Sequence, residues 1–299
     1  MLPLPEGHRF PMDKYRLLRE RLMASGRFEP DAFALPAPID DEALLRVHEA
    51  AYLRHLTEGT LPREIERRIG FPWSPEMVER SRRSVGATLA AARSALVDRV
   101  GVNLAGGTHH AFAASGGGFC VFNDTVVAAH VLLAEGLAER ILVVDLDVHQ
   151  GDGTAELCRD EPRIFTFSIH GAGNYPARKK VSDLDVALAD ATGDAAYLAA
   201  LKNHLAVAVS RHQPDFVFYL AGADPFHEDR YGRLALSKAG LAARDRHVFE
   251  TVRRLGCPVA VSMAGGYAPQ VSDIVDIHEA TVLAARDILA GATGPQPVA

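Results

Sequence analysis

The stretch Asp145-Leu146-Asp147-Val148-His149-Gln150-Gly151-Asp152-Gly153 crowds three carboxylates and an imidazole behind the apolar run 141–144. Strand side chains alternate faces, so Asp145, Asp147 and His149 share one side if the strand persists. Two carboxylates and an imidazole packed together repel or desolvate one another unless a cation joins them. The spacing therefore points to a divalent-metal site. The Asp-x-His pattern alone is a weak signal, and its plain alternative is a carboxylate-capped strand end that starts a helix. Gly151 and Gly153 let the backbone turn tightly past the group. Asp224 ends the apolar run FVFYLAGA and precedes Pro225. On its own it reads as a helix cap or turn residue. With Asp147 and His149 it completes a mixed Asp, His, Asp set that leaves positions open for water and substrate, the pattern of a catalytic ion.

His109 and His110 follow Gly106-Gly107-Thr108. Adjacent residues do not readily bind one ion through both side chains. Two neighbouring imidazoles suit proton transfer to and from a metal-activated water and a leaving group. Each needs a carboxylate on its other ring nitrogen to fix tautomer and orientation, and Asp145 and Asp152 are two acids left over. A plain histidine pair in the core or on the surface is the alternative. The run Ser115-Gly116-Gly117-Gly118-Phe119-Cys120 lacks the Lys-Ser/Thr of a phosphate loop. It reads as a wall along which substrate passes close to backbone, with Phe119 as the apolar side. Gly265-Gly266-Tyr267 offers a phenol on a flexible turn, suited to a carbonyl oxygen that becomes an oxyanion. In isolation that tyrosine reads as a packed one.

The elements that must position these residues are visible from about residue 100 onward. Short apolar, β-branched runs (GVNLAGG, ILVVDLD, IFTFSIH, FVFYLAG and PVAVSMAGG) alternate with helical segments such as NDTVVAAHVLLAEGL, DAAYLAALKNHLAVAVSRH and SKAGLAARDRHVFETVRRLG. The alternation predicts an α/β chain with one doubly wound, mostly parallel sheet and helices on both faces. Each strand candidate runs into polar residues: Thr108, His109 and His110; Asp145, Asp147, His149 and Asp152; His170; Asp224; Tyr267. In open α/β sheets the site lies beyond the carboxyl ends of the strands, so these clusters should meet in space. The region 12–100 reads as mostly helical, with DEALLRVHEAAYLRHL at helical spacing and Ser-Pro opening SPEMVERSRRSVGATLAAARSALVDRV as N-cap and first-turn pair. The 299 residues read as one domain, with a frayed tail from about residue 291.

The bulk properties exclude several classes of function. A formal net charge of −6 gives no reason to expect nucleic-acid binding. No apolar run approaches the roughly 20 residues that span a bilayer, and the start MLPLPEGHRFPMDKY lacks the pattern of a signal peptide. Cys120, Cys158 and Cys257 are scattered and odd in number, which fits a reducing cytoplasm better than a disulfide framework.

Taken in order, the motifs GGTHHAF, SGGGFCVFND, VDLDVHQGDGT, FSIH, AGADP and AGGY resemble the zinc-dependent histone deacetylase family of the arginase–deacetylase superfamily, over about residues 8–285. FPMDKY, GNYPARKKVSDLDVAL and DRYGRLALSKAGLAARD are most similar to its bacterial and class IV branch. The resemblance implies zinc, or iron(II), on Asp147, His149 and Asp224. It implies that His109 and His110 are a tandem pair oriented by Asp145 and Asp152, with His110 the main general base and acid and His109 an electrostatic partner. Tyr267 would polarise the scissile carbonyl. Gly118, Phe119, Tyr175 and Tyr231 would line the substrate channel. A structural K+ or Na+ would sit on Asp145, Asp147, Ser168 and main-chain oxygens of His149 and Ile169. The chain departs from the family's usual pattern at Ala264, where a glycine is common, and at Tyr231, where many relatives have leucine.

The expected reaction is hydrolysis of an N-acyl-lysine amide, acetyl or longer, in a protein or peptide. A small N-acyl amine such as an acetylpolyamine is the rival substrate; Glu228 and Asp229 near the expected mouth would suit a cationic polyamine, and Arg230 beside them would not. An arginase-like two-metal enzyme would need acids where Gly151 and Gly222 stand. A non-catalytic acyl-lysine binder would tend to lose a ligand, a tandem histidine or the tyrosine, and all are present.

Overall fold

Four of the longest buried apolar runs form the middle of one sheet. In the structure, a computed structural model describing residues 2–290, strands β1 (Val100–Asn103), β2 (Ile141–Asp145), β3 (Ile164–Gly171), β4 (Leu184–Leu188), β5 (Phe216–Leu220) and β6 (Val259–Ser262) pair in the order β1-β6-β5-β2-β3-β4. All five pairings are parallel. The residues of β2, β5 and β6 are buried throughout, as expected of strands covered on both faces. The tail expected to fray lies outside the described residues.

Helices α1 (Asp13–Ala24), α2 (Asp41–Leu44), α3 (Ala50–Glu58), α4 (Arg63–Ile69), α5 (Pro75–Asp98) and α6 (Asp124–Ala134) are joined along the chain by α7 (Asp152–Cys158), α8 (Asp194–His212), α9 (Lys238–Leu255) and α10 (Val271–Leu289). Alternate strand residues feed two cores. Val143, Phe218 and Ala260 pack with residues of α5 and α6, whereas Val144, Tyr219 and Val261 pack with residues of α8, α9 and α10. Ser74, Asn123 and Ser237 cap α5, α6 and α9 through their side chains.

The strand order places the site. From β2 the chain winds outward through β3 and β4, then returns to the other side of β2 with β5 and β6. The order reverses between β2 and β5, and a crevice at such a switch point is where open α/β sheets bind ligands. Asp147 follows β2 and Asp224 follows β5, so two of the expected metal ligands flank the reversal.

Three local readings need correction. DEALLRVHEAAYLRHL is not one helix: it breaks between α2 and α3. His48 in the break bonds through Nδ1 to the Phe112 carbonyl and accepts the Asn123 N–H on Nε2, and the Glu49 N–H donates to Ala113 O. Those long-range bonds compensate for the helical bonds lost. The strand through Asp145 does not persist to His149. Leu146 N–H makes the last bond across to β5, on Leu220 O, and the Asp147 N–H turns to the Asp145 carboxylate. Strand β4 was not anticipated, because its alternating, partly exposed residues offer no apolar run. Helices α7 and α10 were not singled out either.

Candidate active site

Asp147, His149 and Asp224 each present a ligand atom, and these atoms lie within 4.8 Å of one another. The backbone aims both carboxylates. Asp147 accepts the His149 N–H at 2.9 Å on Oδ1 and the Gly265 N–H at 2.8 Å on Oδ2, and Asp224 accepts the Val148 N–H at 2.9 Å on Oδ1. His149 Nδ1 stands 3.0 Å from Asp147 Oδ1 and 3.2 Å from Asp224 Oδ2. Both aspartates are buried.

This group fits a divalent cation. Asp224 Oδ2 is buried without a hydrogen-bond partner among the described residues, and such an atom is costly to leave unmatched. Burial and the neighbouring Asp147 carboxylate push the Asp224 carboxyl upward. Burial works against the His149 imidazolium, but the two carboxylates beside it lift it to about 10. Two carboxylates and one imidazole thus converge with one carboxylate oxygen unmatched, a donor set that a divalent ion can share. Gly265 leaves the room, since a Cβ there would stand 1.9 Å from Asp224 Oδ2 and 2.6 Å from Asp147 Oδ2.

The tandem histidines stand beside this group. Their ring centroids are 4.1 Å apart. His109 Nδ1 is 2.7 Å from Asp145 Oδ2, and His110 Nδ1 is 2.6 Å from Asp152 Oδ1. Each carboxylate thus fixes one ring nitrogen and leaves Nε2 for chemistry. The two rings differ electrostatically. For His109, burial is outweighed by the Asp145 and Asp147 carboxylates, which lift the imidazolium to about 9. For His110, burial and the charge of His109 prevail over Asp152 and lower it to about 4. Gly151 permits this packing by close approach, not by an unusual φ: a Cβ there would meet Asp145 Oδ2 at 2.4 Å and His109 Cβ at 3.2 Å.

Tyr267, Phe119 and Gly118 line one pocket with both histidines, Asp147 and His149. The Tyr267 ring lies 5.8 Å from Phe119 and 5.1 Å from Tyr231, centroid to centroid. Tyr175, exposed at the surface, sets its ring edge-on to His110 at 4.8 Å. Burial and the Asp147 and Asp224 charges hold the Tyr267 phenol well above its ordinary value, so it stays a hydrogen-bond donor. Phe10, Tyr15, Arg80 and Ser84 line the same pocket. Ala264 takes a left-handed φ of 54° with its methyl against Gly107, so the glycine the family pattern leads one to expect is not required for the turn.

Of the residues assigned to a monovalent cation, Asp145 and Ser168 are register partners on β2 and β3 and line a small cavity with Gly151, Thr154, Thr166 and Ser182. Ser168 Oγ also lies 3.0 Å from His170 Nδ1.

One expectation about the mouth fails. Asp229 is buried and is not part of an acidic rim. Its Oδ1 accepts the Tyr231 and Gly232 N–H groups at 2.8 and 3.0 Å, and its Oδ2 accepts the Tyr267 N–H at 2.6 Å. It ties the Tyr231 loop to the Tyr267 turn. Two further residues escaped the sequence reading. Lys14 is buried, donates to Ala264 O and Gly266 O at 3.3 Å each, and lies over the Tyr267 ring at 5.2 Å. Asp124 accepts the Gly107 and Thr108 N–H groups and the Thr108 hydroxyl, which pins the loop that carries both histidines. The Asn-Asp pair at the start of α6 was a visible signal for Asp124, since only one of the two is needed as a cap. Lys14 lies in FPMDKY, a stretch noted for its family likeness alone.

The histone deacetylase domain model matches residues 8–282. An uncharacterised protein of Picosynechococcus sp. is 46% identical over 286 residues, covering 96% of this chain and 95% of that protein. Histone deacetylase 2 of Arabidopsis thaliana is 29% identical over 277 residues, covering 90% and 72%. Among solved structures, an HDAC homolog complexed with SAHA aligns with a TM-score of 0.80 at 24% identity over 96% of this chain and 84% of that one. Acetylpolyamine aminohydrolase from Burkholderia pseudomallei aligns with a TM-score of 0.78 at 19% identity over 96% and 93%. At those identities the structural likeness speaks for the fold alone.

Proposed function

The chain belongs to the histone deacetylase family, and from that premise we propose that it hydrolyses the amide of an N-acylated lysine side chain in a protein or peptide. One observation carries the reading: two imidazoles, each fixed through Nδ1 by its own carboxylate, stand beside the Asp147, His149, Asp224 group, whose Asp147 and His149 line the same pocket as a phenol.

The residues take complementary parts. Asp147, His149 and Asp224 would hold a divalent ion, zinc or, second, iron(II). When bound, that ion supplies Lewis acidity toward the amide carbonyl and lowers the pKa of water toward roughly 7. His110, with Asp152 on Nδ1, takes the water proton at Nε2 as attack begins. His109, held by Asp145, adds positive charge beside the developing anion. The Tyr267 hydroxyl donates to the former carbonyl oxygen. A protonated histidine then returns a proton to the leaving amine, which completes the hydrolysis. Phe119 and Tyr175 flank the approach, and Tyr231 stands at its lip. Asp145 and Ser168 are the side chains offered to a structural K+ or Na+.

The acetylpolyamine rival loses its main support with Asp229, whose carboxylate is taken up by three backbone N–H groups. Glu228 faces His227 at 3.6 Å. The test is a panel of acyl-lysine peptides, from acetyl to myristoyl, assayed beside acetylpolyamines with and without chelator. Chelator-sensitive release of the acyl group from at least one peptide is expected. Turnover of polyamines with none of any peptide would refute the substrate class.

A further inference from the structure

Arg244 on α9 is the largest fully buried side chain of the described residues, and it is not among the residues lining the pocket. Its Nε donates to Asp245 Oδ1 at 2.8 Å. Its Nη1 donates to two carbonyls, Gly222 O at 2.6 Å and Leu146 O at 3.3 Å. The position of those carbonyls in the chain is what matters. Leu146 C=O belongs to the peptide unit whose N–H is that of Asp147, and that N–H is held by Asp145 Oδ1 at 3.2 Å. Gly222 C=O belongs to the peptide unit whose N–H is that of Ala223, and that N–H is held by Gly265 O at 2.9 Å. The peptide plane entering Asp147 and the plane one residue ahead of Asp224 are therefore fixed at each end, and one guanidinium supplies an end of both. Asp245 in turn accepts hydrogen bonds from Tyr219 and Thr281 hydroxyls, so the guanidinium is anchored to β5 and α10.

We propose that Arg244 is a positioning residue for the metal ligands: it locks the β2 and β5 loop ends in register so that the Asp147 and Asp224 carboxylates converge. This rests on the reading of Asp147, His149 and Asp224 as a divalent-ion site. A buried cation and anion add little net stability compared with apolar packing. Such a pair is better accounted for by the geometry it imposes. Lysine presents one point donor instead of a planar fork, and it does not hold Asp245 and both carbonyls in the same way.

The test uses the full chain with Co2+ and Zn2+ as probes. Affinity is read by competition with a chromogenic chelator, and ligand geometry by the visible bands of the Co2+ form. Arg244→Lys is expected to weaken metal binding by about 10- to 100-fold, the usual effect of losing an outer support, and to shift the Co2+ bands. Thr281→Val, which loosens Asp245 without touching either carbonyl, is expected to lower the melting temperature and leave the bands in place. A folded Arg244→Lys protein with the parent's affinity and bands would overturn the proposal, as would equal band shifts in Thr281→Val. Should Arg244→Lys not fold, Asp245→Asn keeps the guanidinium but takes the charge and one acceptor oxygen from its anchor; a smaller shift in the same direction supports the role, and unchanged bands refute it. A parent chain that binds no Co2+ would instead refute the underlying metal site.

Discussion

Asp229→Asn should slow turnover through Tyr267 without loosening the metal. In the parent chain one carboxylate accepts three backbone N–H groups, those of Tyr231, Gly232 and Tyr267. An asparagine side chain has one oxygen and one NH2 group. Whichever way it turns, at least one N–H now faces a donor. A buried donor left without a partner costs about 1–3 kcal/mol. The Tyr267 bond is short, at 2.6 Å, and sits on the turn that aims the phenol. If that cost appears as displacement of the turn in the transition state, kcat falls by roughly 5- to 150-fold, at ~1.4 kcal/mol per tenfold. Neither Asp229 oxygen accepts a hydrogen bond from Asp147, His149 or Asp224, so divalent-metal content should stay at the parent level. The assay is steady-state hydrolysis of a fluorogenic acyl-lysine peptide, with metal analysis of each protein. The decisive comparison is the double variant with Tyr267→Phe. Residues acting as one unit are non-additive, so the double variant should be no slower than Tyr267→Phe by itself. Multiplicative losses, or a folded Asp229→Asn protein with parental kcat, would refute the link.

Tyr267→Phe should lower kcat by about 10²- to 10³-fold, the range for one oxyanion donor, with metal content unchanged; a parental rate would remove the tyrosine from the chemistry. Chelation should abolish hydrolysis and lower the melting temperature, because the Asp147 and Asp224 carboxylates lose the cation between them. Metal at about 1,000 times its Kd contributes ~4 kcal/mol, on the order of 5–10 °C here, so equal melting of the apo and loaded proteins would count against the site. His48, which neither belongs to the metal group nor lines the pocket, supplies an acid-sensitive element. Burial lowers its imidazolium from 6.5 to about 4, so folding favours the neutral ring. That stability is complete above about pH 6.5 and is lost as pH falls toward 4. The gap amounts to roughly 3 kcal/mol at ~1.4 kcal/mol per pH unit. The uncharged His48→Gln variant should show a correspondingly flatter decline in urea stability between pH 7 and 4.5; an unchanged slope would refute the assignment.

The parts legible in the sequence share one property: their signal is local. The strands β1, β2, β3, β5 and β6 are apolar runs, and helices α5, α6 and α9 begin at Ser or Asn caps that bond as their positions imply. Asp147, His149 and Asp224 were findable because parallel strands place their carboxyl ends on one side of the sheet. Asp145 and Asp152 were reached by matching acids to imidazoles, and which acid serves which histidine came from the family resemblance. Strand β4 escaped because an edge strand with alternating exposure has no apolar run to betray it.

The residues that hold the site from behind were illegible for a different reason. Lys14, Asp229 and Arg244 fall in FPMDKY and DRYGRLALSKAGLAARD, stretches that carry the family likeness but give these residues no supporting role, and Lys, Asp and Arg are by default surface residues. Nothing local separates Lys14 from the exposed Arg16 two positions on. What distinguishes Lys14 is the set of carbonyls at Ala264 and Gly266 that receives its ammonium, some 250 residues away in the chain. The same holds for Arg244, whose acceptors lie at Leu146 and Gly222. A catalytic loop at a strand end has too few neighbours of its own to be rigid, so its carbonyls must be met by donors from other elements. The ligands and acid–base groups are therefore announced by their own chemistry. Their supports are announced only by which backbone oxygens the fold leaves unpaired, and that becomes visible only once the strands are in register.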